Sequence, residues 1–103
     1  MELKSIETQV DLFIQDQGGY WDIPWLLAAI TEELGELSRV LQIFTGIRPV
    51  KTFNRKNSIK ESIEEETGDL LFALICLANS FGIDLEIAVM NTLKKYKSRE
   101  TKK

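Results

Sequence analysis

Thr31-Glu32-Glu33-Leu34-Gly35-Glu36-Leu37 and, further on, Glu66-Thr67-Gly68-Asp69 each carry two acids three residues apart, Glu33/Glu36 and Glu66/Asp69. On a helix that spacing makes the two acids neighbours on one face. The apolar residues around them repeat with a helical period. Leu26, Ile30, Leu34, Leu37, Leu41 and Phe44 form one stripe, and Ile59, Ile63, Leu70, Leu74, Leu77 and Phe81 form a second. At about 100° per residue, Glu33 lies roughly 60° from the centre of its stripe, with Glu36 further round on the same side. Glu66 lies inside the other stripe, about 40° from its centre, and Asp69 flanks it beside Ala73. Carboxylates turned that far toward an apolar face are costly unless something compensates them.

Outward from these two stretches the whole chain reads as helix. Leu3, Ile6, Val10, Phe13 and Ile14 share a face of a first helix, about residues 3–17, that ends at Gly18-Gly19. An aromatic turn, Gly19-Tyr20-Trp21-Asp22, leads to a second helix with Asp22 as N-cap and Pro24 in its first turn, running to about Phe44. Gly35 inside it costs about 1 kcal/mol against alanine and leaves room for close approach of a helix or ligand. Residues 45–57 form the one long connection, with Arg48, Lys51, Arg55 and Lys56. Ser58-Ile59-Lys60-Glu61 fits a capping box opening a third helix that stops at Phe81 before Gly82. Asp84 caps a fourth, from Leu85 to about Lys97, with a frayed tail over 98–103. The expected architecture is an all-α, four-helix, bundle-like subunit in one domain, residues 1–103.

With 103 residues, 44% of them hydrophobic and two prolines, the chain is a small folded domain. Its net charge of -3 is unevenly spread: eight acids lie between Glu32 and Asp69, and six basic residues with one acid lie between Lys94 and Lys103. That balance argues against a binder of nucleic acid polymers. A lone cysteine, Cys76, excludes an internal disulfide and reads as a core thiol. No signal peptide and no membrane-length apolar run are evident, so a cytoplasmic location without membrane association is expected. Leu70 to Ala78 is apolar on every side, which a small bundle cannot cover alone. A homodimer, or a dimer of dimers, is expected to cover it.

Acids on helices are ordinarily solvated surface, and Glu61, Glu64 and Glu65 fit that description. Glu33 and Glu66 do not, because of where they face. Two acidic pairs on antiparallel neighbouring helices can meet, and four convergent carboxylates describe a site for a hard cation such as Mg²⁺. Zinc is disfavoured with no histidine and one cysteine. A ferritin-like di-iron centre would want Glu-x-x-His, which is absent. Mg²⁺ on carboxylates points to phosphate chemistry.

Glu32-Glu33-x-x-Glu36 followed by Glu66-x-x-Asp69 resembles the signature of the MazG-like nucleotide pyrophosphohydrolases, an all-α superfamily that also includes dimeric dUTPases and phosphoribosyl-ATP pyrophosphatase. The likeness extends through Gly35, Leu37, Gly68-Asp69-Leu70-Leu71-Phe72, Leu77-Ala78-Asn79 and Gly82-Ile83-Asp84-Leu85-Glu86, and ends at Lys95-Tyr96-x-x-Arg99. The basic loop from Arg48 to Lys56 is longer than in the most compact members. The resemblance implies hydrolysis of a nucleoside triphosphate between its α and β phosphates, to the monophosphate and pyrophosphate, in nucleotide-pool housecleaning. It implies Glu33, Glu36, Glu66 and Asp69 as ligands of Mg²⁺, with Mn²⁺ as a substitute. Glu32 becomes an auxiliary acid that orients or deprotonates water.

A triphosphate also needs cationic partners, for which Lys95 and Arg99 are the candidates, although basic residues favour a helix C-terminus in any case. Asn91, one turn earlier, is a candidate for phosphate or sugar. Trp21 or Trp25 offers a flat partner for the base; the alternative is a tryptophan pinning the first helix on the second. Phe53 on the basic loop is a lesser candidate. Two other readings stand beside this one. The chain is a helical oligomerisation or regulatory module with a vestigial acidic patch, or a pyrophosphatase for one pyrimidine deoxynucleotide or phosphoribosyl-ATP. Nothing in the sequence selects a base.

Overall fold

The computed structural model describes residues 2–47 and 58–101. Four helices follow one another: α1 (Leu3–Asp16), α2 (Ile23–Phe44), α3 (Ile59–Phe81) and α4 (Leu85–Thr101). The all-α expectation holds, and no strand occurs among the described residues. Among them, too, no single helix is long and apolar enough to cross a membrane. Arg48, Lys51, Phe53, Arg55 and Lys56 of the expected basic loop lie outside the described residues.

The helix ends follow from local chemistry. Asp84 Oδ1 accepts the Ile87 N–H at 3.1 Å, the expected N-cap of α4. Ser58 Oγ accepts the Glu61 N–H at 3.1 Å, while its own hydroxyl donates to Glu61 Oε1 at 3.1 Å. Glu61 thus closes the box on the serine hydroxyl rather than on the backbone. Asp22 is extended (φ -61°, ψ 153°) but makes no side-chain cap bond; Pro24 in the first turn pre-sets the helix instead. Gly82, at φ 67°, ends α3, with Ile83 N–H bonded back to Ala78 O at 2.9 Å. That left-handed turn suits glycine. The fourth helix continues past Lys97, its expected end, to Thr101.

Two compact units make up the chain: Met1–Tyr20 with Ile75–Lys103, and Trp21–Leu74. In the first, α1 and α4 pack together and the C-terminal part of α3 contributes Ile75, Cys76 and Ala78 to the core beside Val10 of α1. Cys76 is buried as expected, and burial pushes its thiol pKa up. A polar tie runs through this unit. Tyr20 Oη donates to Asp11 Oδ1 at 2.7 Å, and Asn79 Nδ2 donates to Tyr20 Oη and to Glu7 O, each at 3.0 Å. Burial, and then the bond to Asp11, push the Tyr20 hydroxyl up to about 12.

In the second unit the inward face of α2 runs through Leu26, Val40 and Ile43. Leu34, Leu41 and Phe44, expected to face inward, are exposed. The buried face is therefore turned by roughly 80° from the apolar stripe, toward the side that carries Glu33. On α3, Ser62 and Ala73 are buried on the face that holds Glu66, while Leu71, Phe72 and Leu74 are exposed in the single chain.

Replacing Asn79 with alanine removes both of its bonds and should destabilise the protein by about 1–3 kcal/mol. Tyr20→Phe, which keeps the ring, should cost less. Urea denaturation checks both; a loss below about 0.5 kcal/mol for Asn79→Ala would show that the tie contributes little.

Candidate metal centre

The site grows from the two acidic pairs, both within the unit Trp21–Leu74. Helix α2 places Glu33 two turns from Leu26 and from Val40 and nearly three from Ile43, so its side chain leaves the backbone on the inward face and is half-buried. Helix α3 places Glu66 one turn from Ser62 and two from Ala73, likewise half-buried, with Asp69 exposed one turn on. One carboxylate oxygen each from Glu33, Glu66 and Asp69 lie within 4.8 Å of one another. Among the described residues this is the one such gathering of His, Cys, Asp and Glu side chains.

The electrostatics follow from the placement. Burial, then the charges of Asp69, Glu32 and Glu36, hold the Glu33 carboxyl above the usual carboxylate range. Burial raises Glu66 too, followed by Asp69, Glu36, Glu33 and Glu65. Two helices thus bring together acids that raise one another's proton affinity, a tension that a cation relieves.

The other candidates divide. Glu36 is exposed and outside the group of three: Arg39 Nε lies 3.5 Å from Glu36 Oε2, a pairing of i and i+3 on α2. Its charge still acts on both Glu33 and Glu66. Four convergent carboxylates were expected; three converge, and the fourth leans to an arginine that the reading of the sequence passed over, although the i, i+3 spacing shows it. Glu32 is exposed beside Glu33. Trp21 and Trp25 are each 66% exposed and present ring surface to solvent in the same unit as the acids. Asn91, Lys95 and Arg99 are exposed on α4 in the other unit. There, Lys95 Nζ and the Arg99 guanidinium lie 5.3 and 5.5 Å from the Tyr96 ring centroid, within cation–π range.

The raised proton affinities predict a pH dependence. A carboxyl that holds its proton more tightly folded than unfolded favours the folded state while protonated, and that advantage is lost as pH rises through the folded pKa. Metal-free stability should therefore fall as pH rises from the ordinary carboxylate range through the raised pKa values of Glu33 and Glu66. Glu66→Gln should raise metal-free stability at pH 7, by roughly 0.5 kcal/mol per like-charge contact relieved. Thermal melts across pH, with chelator present, check this. A Glu66→Gln protein that melts lower throughout would contradict it.

Comparisons with known proteins identify the family of the chain. The family model described as the MazG nucleotide pyrophosphohydrolase domain matches residues 24–102, which include both acidic pairs. The chain is 40% identical over 99 residues to YpjD of Bacillus subtilis (strain 168), described as an uncharacterised protein, covering 95% of this chain and 86% of that one. The crystal structure of YpjD superposes with a TM-score of 0.79 at 39% identity, covering 96% of each chain. That of the Bacillus-conserved MazG protein, described as a nucleotide pyrophosphohydrolase, gives a TM-score of 0.77 at 36% identity, covering 93% of this chain and 90% of the other. The chain belongs to the MazG family and is a nucleotide pyrophosphohydrolase.

Proposed function

We propose that the chain hydrolyses nucleoside triphosphates, ribo or deoxy, between the α and β phosphates, releasing the monophosphate and pyrophosphate, and that it requires Mg²⁺. The observation that carries the metal dependence is the gathering of Glu33, Glu66 and Asp69 oxygens within 4.8 Å. All-oxygen donors without histidine or a second cysteine fit a hard cation. Glu33, Glu66 and Asp69 would hold it, with Glu36 as the fourth donor and Mn²⁺ as an acceptable substitute. When bound, such a cation supplies charge stabilisation at phosphoryl oxygens and lowers the pKa of a water.

The chain's own residues set the rest. Glu33 and Glu66 hold protons more tightly than ordinary carboxyls, so a cation at this site would compete with protons there. Glu32, exposed beside Glu33, is the auxiliary acid that orients or deprotonates the attacking water. Glu36 exchanges its Arg39 pairing for a ligand role, a small cost for an exposed ion pair. The exposed rings of Trp21 and Trp25 offer the base a stacking surface, and Lys95, Arg99 and Asn91 are candidates for phosphate and sugar. A second copy of the chain covers the exposed Leu71, Phe72 and Leu74 in a homodimer or homotetramer. The biological sense of the reaction is removal of unwanted nucleotides from the pool.

Pyrophosphate release from a panel of canonical and modified NTPs and dNTPs, with and without Mg²⁺, tests the proposal. Release should require metal, and Glu66→Ala should reduce it by at least ~100-fold. Release that persists in excess chelator, or in Glu66→Ala, would overturn the metal-centred reading.

A further inference from the structure

Arg39 stands beside the three gathered acids without joining them. At about 100° per residue, Glu36 lies roughly 60° round α2 from Glu33, and Arg39 roughly 60° further the same way. Glu36 therefore sits between Glu33 on one side and Arg39, half-buried, on the other, and its Oε2 lies 3.5 Å from Arg39 Nε. The carboxylate that stays out of the group of three is the one paired with the arginine. Its charge nevertheless reaches Glu33 and Glu66. An exposed pair of this kind contributes little to stability, so a stronger partner displaces it readily.

Charge balance gives the pair a second meaning. Ionised, Glu33, Glu36, Glu66 and Asp69 carry four negative charges, and a divalent cation cancels two of them. A triphosphate arriving there meets residual negative charge, which a nearby cationic side chain offsets. Among the described residues of the unit Trp21–Leu74 the basic side chains are Arg39 and Lys60, and Arg39 is the one paired with an acid of the site. Carboxylate and phosphate both offer paired oxygens to the planar fork of a guanidinium, so the same side chain serves either.

We propose, on the metal-dependent reading given above, that Arg39 both positions Glu36 and binds substrate: it holds that carboxylate off the three gathered acids until a cation draws it in, and its guanidinium then turns to an oxygen of the triphosphate. One swing of Glu36 thereby completes the donor set and gives up the Arg39 bond to phosphate. Cation and nucleotide favour one another through this exchange of partners, made within a single turn of α2.

Mn²⁺ binding to the nucleotide-free protein, read by electron paramagnetic resonance in the parent, R39Q, E36Q and the double variant, tests the hold on Glu36. R39Q should bind Mn²⁺ about threefold more tightly than the parent, the size of one exposed ion pair. In the E36Q background the same change should have almost no effect, which separates a hold on Glu36 from a general loss of positive charge. Binding of inorganic tripolyphosphate in millimolar Mn²⁺, read by calorimetry, tests the phosphate contact without choosing a base. R39Q should weaken it at least ~10-fold, and R39K, which keeps the charge but not the fork, should restore it only in part. Equal tightening of Mn²⁺ in both backgrounds, no tightening in either, or unchanged tripolyphosphate binding in R39Q would each overturn the proposal. A parent that binds no Mn²⁺ would overturn the metal-dependent reading itself, and this proposal with it.

Discussion

Like charges held together on the inward side of two helices are the constraint on which this protein turns. Glu33, Glu66 and Asp69 bring carboxylate oxygens within 4.8 Å of one another, and each of the first two is driven above its ordinary pKa, first by burial and then by its acidic neighbours. A small domain has few kcal/mol of stability to set against such repulsion. The arrangement makes chemical sense as a cation site, where the repulsion becomes attraction once a divalent ion is present.

The helices serve that arrangement. On α2 the buried residues are Leu26, Val40 and Ile43, and their face is the one that carries Glu33. On α3, Ser62 and Ala73 bracket Glu66. Small or short side chains flank the acid there, while the larger Leu71, Phe72 and Leu74 stand outside the face and are exposed in the single chain. The helix that presents the acids on one side thus presents apolar surface on another, and in our proposal a second copy covers it.

Much of this was legible in the sequence, for identifiable reasons. Capping chemistry is local, so Ser58 and Asp84 marked the starts of α3 and α4 correctly. The i, i+3 acids marked the site because helical spacing puts them on one face whatever the surroundings. The exact facing of α2 was not legible. Leu34, Leu41 and Phe44 weigh as heavily as Leu26 in a periodicity argument, yet which leucines are covered depends on what packs against them. Asp22 has the residue type of an N-cap but leaves the bond unmade, since Pro24 already fixes the entry to the helix. The wheel that flagged Glu66 also places Glu7 among Leu3, Val10 and Ile14 of α1, a signal of its burial that was present and went unread. The approach of Glu33 to α3 depends on tertiary packing, and no spacing rule supplies it.

The central claim is that Glu33, Glu66 and Asp69 together hold a divalent cation. Anomalous scattering from crystals grown with millimolar Mn²⁺ tests it most directly. The account predicts a manganese peak bounded by those three side chains and absent in a Glu66→Ala crystal of the same form. A peak elsewhere with the three carboxylates unoccupied, or the same peak persisting without Glu66, would contradict it.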